Sequence, residues 1–233
     1  MLKNAKRERL VSAIHDWTSL GAYTPRQASS LLHIRPDMAV RWIYGSGNRG
    51  SAVAPQYPNH RGELLTFVDL VQAMAIRDMR LAKRLSLQKI RQTFEAAKAL
   101  GVHFPFAKSH TAYVFHDDIV LRLDNDTLIQ VTGKYKLQQL SEPIVYSYLR
   151  ELSFDDRGLA NAFVPVRKKF RSIELNPRVN YGAPTVMPCK YTVATLVSAF
   201  DAEGGFDEAA DICDVNPLDV KLAVAYENSL SAA

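Results

Sequence analysis

The stretch YTPRQASSLLHIRPDMAVRWIYG, residues 23–45, decides the fold, because it spells two short helices joined by a tight turn. Thr24 stands as N-cap, Pro25 at the first helical position and Gln27 three residues after the cap, which completes a capping box. Ala28, Leu31 and Leu32 then fall on one face. After the turn His33-Ile34-Arg35, Pro36 opens a second helix whose Ala39, Trp42 and Ile43 share a face that packs on the first. The opposite face carries Asp37, Val40, Arg41 and Tyr44. In a helix-turn-helix the second helix lies in the major groove with its N-terminal residues foremost, which makes these four the candidates for base edges. A plain helical hairpin has the same pattern, so the flanking sequence has to separate the two.

Downstream, GSGNRGSAVAPQYPNHRGELL (residues 45–65) is rich in Gly, Pro, Ser and Asn. Its Gly45, Gly47 and Gly50 have the G-x-G-x-x-G spacing of a dinucleotide-binding loop, but they follow a helix and open none, which argues against that chemistry. A wing, either a loose hairpin or a loop beside the second helix, accounts for it better. Asn48, Arg49 and Arg61 then reach backbone phosphate together with Arg26 and Arg35. Thr66 and Asp69 cap a long helix of about Phe67 to Lys83, with Phe67, Leu70, Val71, Met74, Met79 and Leu81 apolar. Ser86 starts another, Leu87 to Leu100, with Ile90, Phe94 and Ala97 inward and Gly101 as its stop. Upstream, residues 1–22 read as a leading helix with Leu10, Ile14 and Trp17 at helical spacing behind Lys3, Lys6, Arg7 and Arg9.

The whole chain bears on this module. Its 233 residues exceed one typical domain, and 47% hydrophobic with 23% charged residues is a globular composition. No run approaches a membrane span and the N-terminus lacks the apolar core of a signal peptide, so a cytoplasmic location is expected. The two cysteines, Cys189 and Cys213, make neither a ligand cluster nor a disulfide framework. Net charge is +5, unevenly spread: residues 1–104 hold 16 Lys+Arg against 7 Asp+Glu, or +9, whereas residues 105–233 hold 13 against 17, or −4. From Thr192 onward Lys221 faces eight carboxylates alone, or −7. The front suits a polyanion and the tail does not.

TPRQASSLLHIRPDMAVRWIYG followed by LLTFVDLVQAMAIRDMRLAKRLSLQKIRQTFEAAKALGVHFPF resembles the winged helix-turn-helix of MerR-like regulators. Two departures stand out: Arg35 replaces the small capping residue before the helix-opening proline, and Val40 replaces a basic residue, which favours a thymine methyl over phosphate. Effector-sensing MerR proteins dimerise through a long following helix and often ligate metal there through cysteines. Here Gly101 to Pro105 interrupts helix at that place and no cysteine is near, which argues against metal or drug sensing.

From Ala112 the period changes to two. YVFHDD, IVLRLDNDT and LIQVTGK read as a hairpin or three-strand meander, and residues 152–163 as a further hairpin. His103, His110 and His116 with Asp117 and Asp118 lack tight ligand spacing, and no metal is expected. The RKKFR run at residues 167–171 is read either as a contact to DNA or an acidic partner, or as a solvated loop. After a strand at Ile173 to Leu175, three helices are expected: from Thr192 to the Gly204-Gly205 stop, from Phe206 to Ile212, and from Pro217 to Glu227. The succession "NPRVNYGAPTV", "YTVATLV", "GGFDEAAD", "NPLDVKLAVAYE" resembles the small domain of VapB-type antitoxins, whose partners are PIN-like ribonuclease toxins. Its last helix offers only Lys221 among Asp219 and Glu227, so it is assigned to dimerisation or a basic partner through Leu218, Leu222, Val224 and Tyr226.

The expected fold is thus α+β, mainly α: a winged helix-turn-helix over residues 1–107, a β-rich connection over 108–171 and a helical antitoxin-type domain over 172–233. The resemblances imply a cytoplasmic, DNA-binding antitoxin of a type II toxin–antitoxin system. It would bind a double-stranded operator as a homodimer or larger hetero-oligomer, repress its own operon and neutralise a PIN-like toxin. A stand-alone MerR-like regulator is the alternative. No nucleophile–base or paired-carboxylate arrangement sits in a motif context, so no enzyme and no cofactor are expected.

Overall fold

A computed structural model of the chain describes residues 19–47, 50–109, 112–115, 118–122, 128–130, 151–165, 169–170 and 172–231. Within them the protein is α+β, mainly α, with short antiparallel sheets. The leading helix expected over residues 1–22 lies outside the described residues as far as residue 18, and the described residues 20–22 are not helical; Asn48, Arg49, His110, His116, Asp117 and most of the RKKFR run also lie outside the described residues.

Helices α1 (Pro25–Leu32) and α2 (Pro36–Tyr44) form where the capping signals place them. Thr24 accepts from the Gln27 amide while the Gln27 side chain returns to the Thr24 amide, so the capping box closes in both directions. His33 ends α1 in the left-handed region, and its amide donates back to the Ser30 carbonyl at 3.2 Å. That reversal swings the chain so that Ala39, Trp42 and Ile43 close over Ala28, Leu31 and Leu32, all buried. Arg35, the weak cap noted above, makes no side-chain cap bond.

Helix α3 (Phe67–Leu81) starts at a second closed capping box, Thr66 with Asp69, and is buried on nearly every side from Phe67 to Ile76. Such a helix is the centre of its module. Leu81 is an exception to the expected apolar stripe: it is 59% exposed at the helix end. Helix α4 (Leu87–Ala99) follows with Ile90, Phe94 and Ala97 inward as expected.

The period-two segment folds as a meander in the order β1 (Ala112–Phe115), β2 (Asp118–Arg122), β3 (Leu128–Gln130). A separate hairpin joins β4 (Leu152–Phe154) to β5 (Ala160–Phe163). Its turn is built on Asp155, whose carboxylate accepts from the Leu159 and Arg157 amides. Burial opposes ionisation of Asp155, but those bonds and the Arg157 guanidinium outweigh it and hold the carboxyl below its ordinary value.

The strand expected at Ile173 to Leu175 forms as β6 (Ile173–Glu174), and the chain after it adds two strands that the sequence does not lead one to expect, β7 (Thr185–Val186) and β8 (Tyr191–Thr192), to make a small antiparallel sheet. These strands are two residues long, too short for a periodic signal. The expected three helices follow as α5 (Val193–Glu203), α6 (Phe206–Cys213) and α7 (Pro217–Ser231), with Thr192 capping the first and Gly204 ending it in the left-handed region. One apolar cluster runs without interruption from Tyr23 through α3 and the hairpin to Val220, Ala223 and Tyr226 of α7. The two ends of the chain therefore meet, with Tyr23 donating a buried hydrogen bond to the Gly182 carbonyl at 2.7 Å.

Candidate functional site

The solvent face of α2 is set by what its inner face must bury. Trp42 and Ile43 are committed to the core, which turns Asp37, Val40 and Arg41 outward on the same helix. Asp37, in the first turn, lies between two arginines: 3.0 Å from Arg35 and 2.5 Å from Arg41 one turn on. Both pairs are substantially exposed, so they contribute little to stability. Their effect is geometric, since Asp37 holds the Arg41 guanidinium through Nη2 and leaves most of its five donors uncommitted to that carboxylate.

Beside these residues is an open cleft of about 400 Å³ walled by Pro25, Asp37, Val40, Arg41, Ser46 and Arg61. It brings the starts of both helices together with the loop after α2. A second cleft, about 530 Å³, lies at the turn and includes Arg26, Ser30, His33, Arg35, Met38 and Leu81. The sequence-selected cations thus divide between two concavities on either side of the start of α2.

Two of the selected residues have a different task. Tyr44 is expected from the sequence to read bases; its hydroxyl instead donates to the Leu64 carbonyl, and the ring is half-buried. That burial, with the carboxylates of Asp69 and Glu63 adding to it, raises its pKa. Arg61 is expected to reach phosphate; its guanidinium instead donates to the Tyr44 carbonyl at 3.2 Å and the Gly45 carbonyl at 2.8 Å. A helix end leaves carbonyls without partners, and an arginine returning from the loop satisfies them and complements the helix dipole. These corrections share a cause: a long side chain beside unpaired carbonyls bonds to them before it extends into solvent.

The loop after α2 is accordingly stitched down at its base. The Ala52 amide donates to the Trp42 carbonyl at 2.7 Å, Arg91 of α4 donates to the Gly50 and Ser51 carbonyls, and the Gln56 amide reaches the Asp69 carboxylate. Burial raises the Asp69 pKa against the opposing hydrogen bonds from Thr66 and Gln56. Arg77 of α3 completes the frame by donating to the Leu32 carbonyl at the end of α1. In the sequence, Arg77 and Arg91 read only as positive charge; their capping roles follow from contacts across 45 and 41 residues.

At the other end of the chain, Leu218 is exposed, and Leu222 and Val224 are half-buried. Tyr226, expected to contact a partner, is 1% exposed, so it is corrected to a core residue. Its ring packs edge-on to Phe170 at 5.4 Å. Burial raises its pKa, as it does that of the neighbouring Tyr23. Ile212 is not among the residues selected from the sequence, yet it stands out at the surface of α6; its position off the inward stripe of Ala209, Ala210 and Cys213 is the available signal.

No protein-family model matches the chain, and no curated protein does. Among solved structures, the chain is similar to the X-ray crystal structure of Rv2018 from Mycobacterium tuberculosis, with a TM-score of 0.59 at 19% sequence identity. The likeness covers 87% of this chain and 96% of that one, so it extends over nearly the whole fold. Among the described residues, no helix is long and apolar enough to cross a membrane.

Proposed function

We propose that the protein is a DNA-binding antitoxin whose helix-turn-helix reads an operator while its C-terminal helices hold a toxin, a PIN-like ribonuclease. The observation that carries the DNA-binding half is the outward face of α2, with Arg41 braced by Asp37 beside a cleft that admits a phosphate-bearing edge. In this reading Arg41 donates its fork to a guanine edge, Val40 meets a thymine methyl, and Arg26 and Arg35 neutralise phosphates. Asp37 keeps the Arg41 fork in place before binding, which lowers the cost of ordering it. The antitoxin half is supported by the resemblance of residues 172–228 to VapB-type domains and by the acidic balance there, which opposes a second nucleic-acid contact.

The test is operator binding at several salt concentrations by the wild type, Arg41→Ala and Arg26→Ala. Loss of Arg41 should cost about 1–3 kcal/mol on the specific site and relax discrimination, whereas loss of Arg26 should weaken every sequence alike and reduce the salt slope by about one unit. Binding unchanged in both variants would remove α2 as the reader. If the wild type binds DNA but forms no complex with the product of the adjacent reading frame, a stand-alone regulator is the better description.

A further inference from the structure

In the C-terminal unit, two large aliphatic side chains stand in water where the helices turn. Ile212, in the last turn of α6, is 71% exposed, and Leu218, in the first turn of α7, is 67% exposed. Scattered apolar residues are ordinary on a surface, but these two flank one short, fixed turn. The Val215 amide donates to the Ala210 carbonyl at 3.0 Å, and the Asn216 side chain accepts from the Leu218 amide at 2.9 Å. Beneath them Ala209, Ala210, Cys213, Val220 and Ala223 are buried, so the pair stands on a packed base and needs no ordering on contact.

The charged residues of α6 and of the turn after it are all acidic, and α7 adds one cation, Lys221, a turn beyond Leu218. Asp207, Asp211 and Asp214 are exposed on and just after α6, and among the described residues none of them has an ion pair. Lys221, the one Lys or Arg in the sequence from Thr192 onward, lies over the Phe206 ring at 5.5 Å, and Phe206 itself stacks on Phe200 at 4.5 Å. We infer that Ile212 and Leu218, framed by these carboxylates, form a docking surface for a basic polypeptide partner; this rests on the antitoxin reading and names the surface that makes the contact. Apolar anchors inside a charged rim are the usual division of labour in an interface, with the anchors carrying affinity and the rim carrying steering and specificity. A symmetric contact between two copies through this face would set the carboxylates of one copy against those of the other, which like-charge repulsion opposes.

The full chain is expressed with the tagged product of the adjacent reading frame, as wild type, as the Ile212→Ser/Leu218→Ser double variant and as Asp211→Asn/Asp214→Asn. All three are measured for complex affinity at several salt concentrations, operator binding, thermal unfolding and solution mass. The serine variant should weaken the complex at least about tenfold, and the asparagine variant should flatten its salt dependence. Both should retain wild-type melting and operator binding, since the changed side chains are exposed. A complex indifferent to the serine variant overturns the surface and leaves the antitoxin reading intact. Absence of any complex with the wild type overturns both. A wild type that self-associates and becomes smaller on loss of Ile212 and Leu218 overturns the partner in favour of a second copy.

Discussion

Replacing Tyr23 by Phe removes one oxygen atom at the place where the two ends of the chain meet. The hydroxyl donates at 2.7 Å to the carbonyl of Gly182, and both residues are buried. Phenylalanine fills the same ring space, so the cost is that of a buried carbonyl left without its donor, roughly 1–3 kcal/mol. For a chain of this length each kcal/mol moves the melting temperature by about 2–4 °C, so a fall of roughly 4–8 °C is expected for a cost near 2 kcal/mol. Gly182→Ala probes the same contact from the other side. Gly182 has φ +83°, and a Cβ there would stand 2.3 Å from the Tyr23 hydroxyl, inside any tolerable separation. That variant should destabilise more than Tyr23→Phe, through left-handed backbone strain of about 1 kcal/mol and displacement of the ring. The two changes should also couple. Once Tyr23 has lost its oxygen, the atom nearest the new Cβ is the ring carbon at 3.2 Å, a contact that a small shift accommodates. Calorimetry on the two single variants and the double variant gives the cycle, and the Gly182→Ala penalty should be smaller by roughly 1 kcal/mol when Tyr23→Phe is already present. A Tyr23→Phe protein melting within about 1 °C of wild type, or strictly additive changes, would refute this account of how the helix-turn-helix is joined to the C-terminal unit.

Alkaline pH acts on the same junction. Burial holds the Tyr23 and Tyr226 hydroxyls protonated above the ordinary tyrosine value of 10.0, so their contribution is fully present below that value and is lost as pH rises beyond it, where the unfolded chain ionises first. Denaturant titrations should show stability falling above about pH 10, with a shallower fall in Tyr226→Phe; a slope unchanged in that variant would mean that the Tyr226 hydroxyl is not shielded. Trp42→Ala should cost about 3–5 kcal/mol because the side chain is 2% exposed in the core; a folded variant of wild-type stability that loses only DNA binding would instead make Trp42 a contact residue. Arg61→Ala should lower stability by about 1 kcal/mol by releasing the two carbonyls it caps, and leave the salt slope of DNA binding unchanged. A slope reduced by about one unit would return Arg61 to the phosphate backbone.

Local chemistry makes most of the helical framework legible from residue order. Capping boxes at Thr24 and Thr66, helix-opening Pro25, Pro36 and Pro217, and the Gly204 stop act within four residues, so the α-helices with such signals begin within one or two positions of expectation, and all but α7 end so; α7 runs four residues past the expected Glu227, to Ser231. The meander and the hairpin are visible through their alternation and turn residues. The strands β7 and β8 are not, because two-residue strands carry no period and are held by pairing across a loop, whereas β6 falls within the strand expected at Ile173 to Leu175. In the candidate site the sequence places Asp37, Val40 and Arg41 outward, since a helix with Trp42 and Ile43 inward has no other place for them. It does not decide which cations remain free. Arg61, Arg77 and Arg91 all count toward the +9 of the front half, yet each is turned onto backbone carbonyls of another element. Likewise Tyr226 and Leu218 occupy one apolar-looking helix, and only the packing of Phe170 and Tyr23 against it makes the first core and leaves the second in water. Formal charge and hydrophobicity belong to the residue, whereas availability to a partner depends on what the rest of the chain brings beside it, and that is settled by tertiary structure alone.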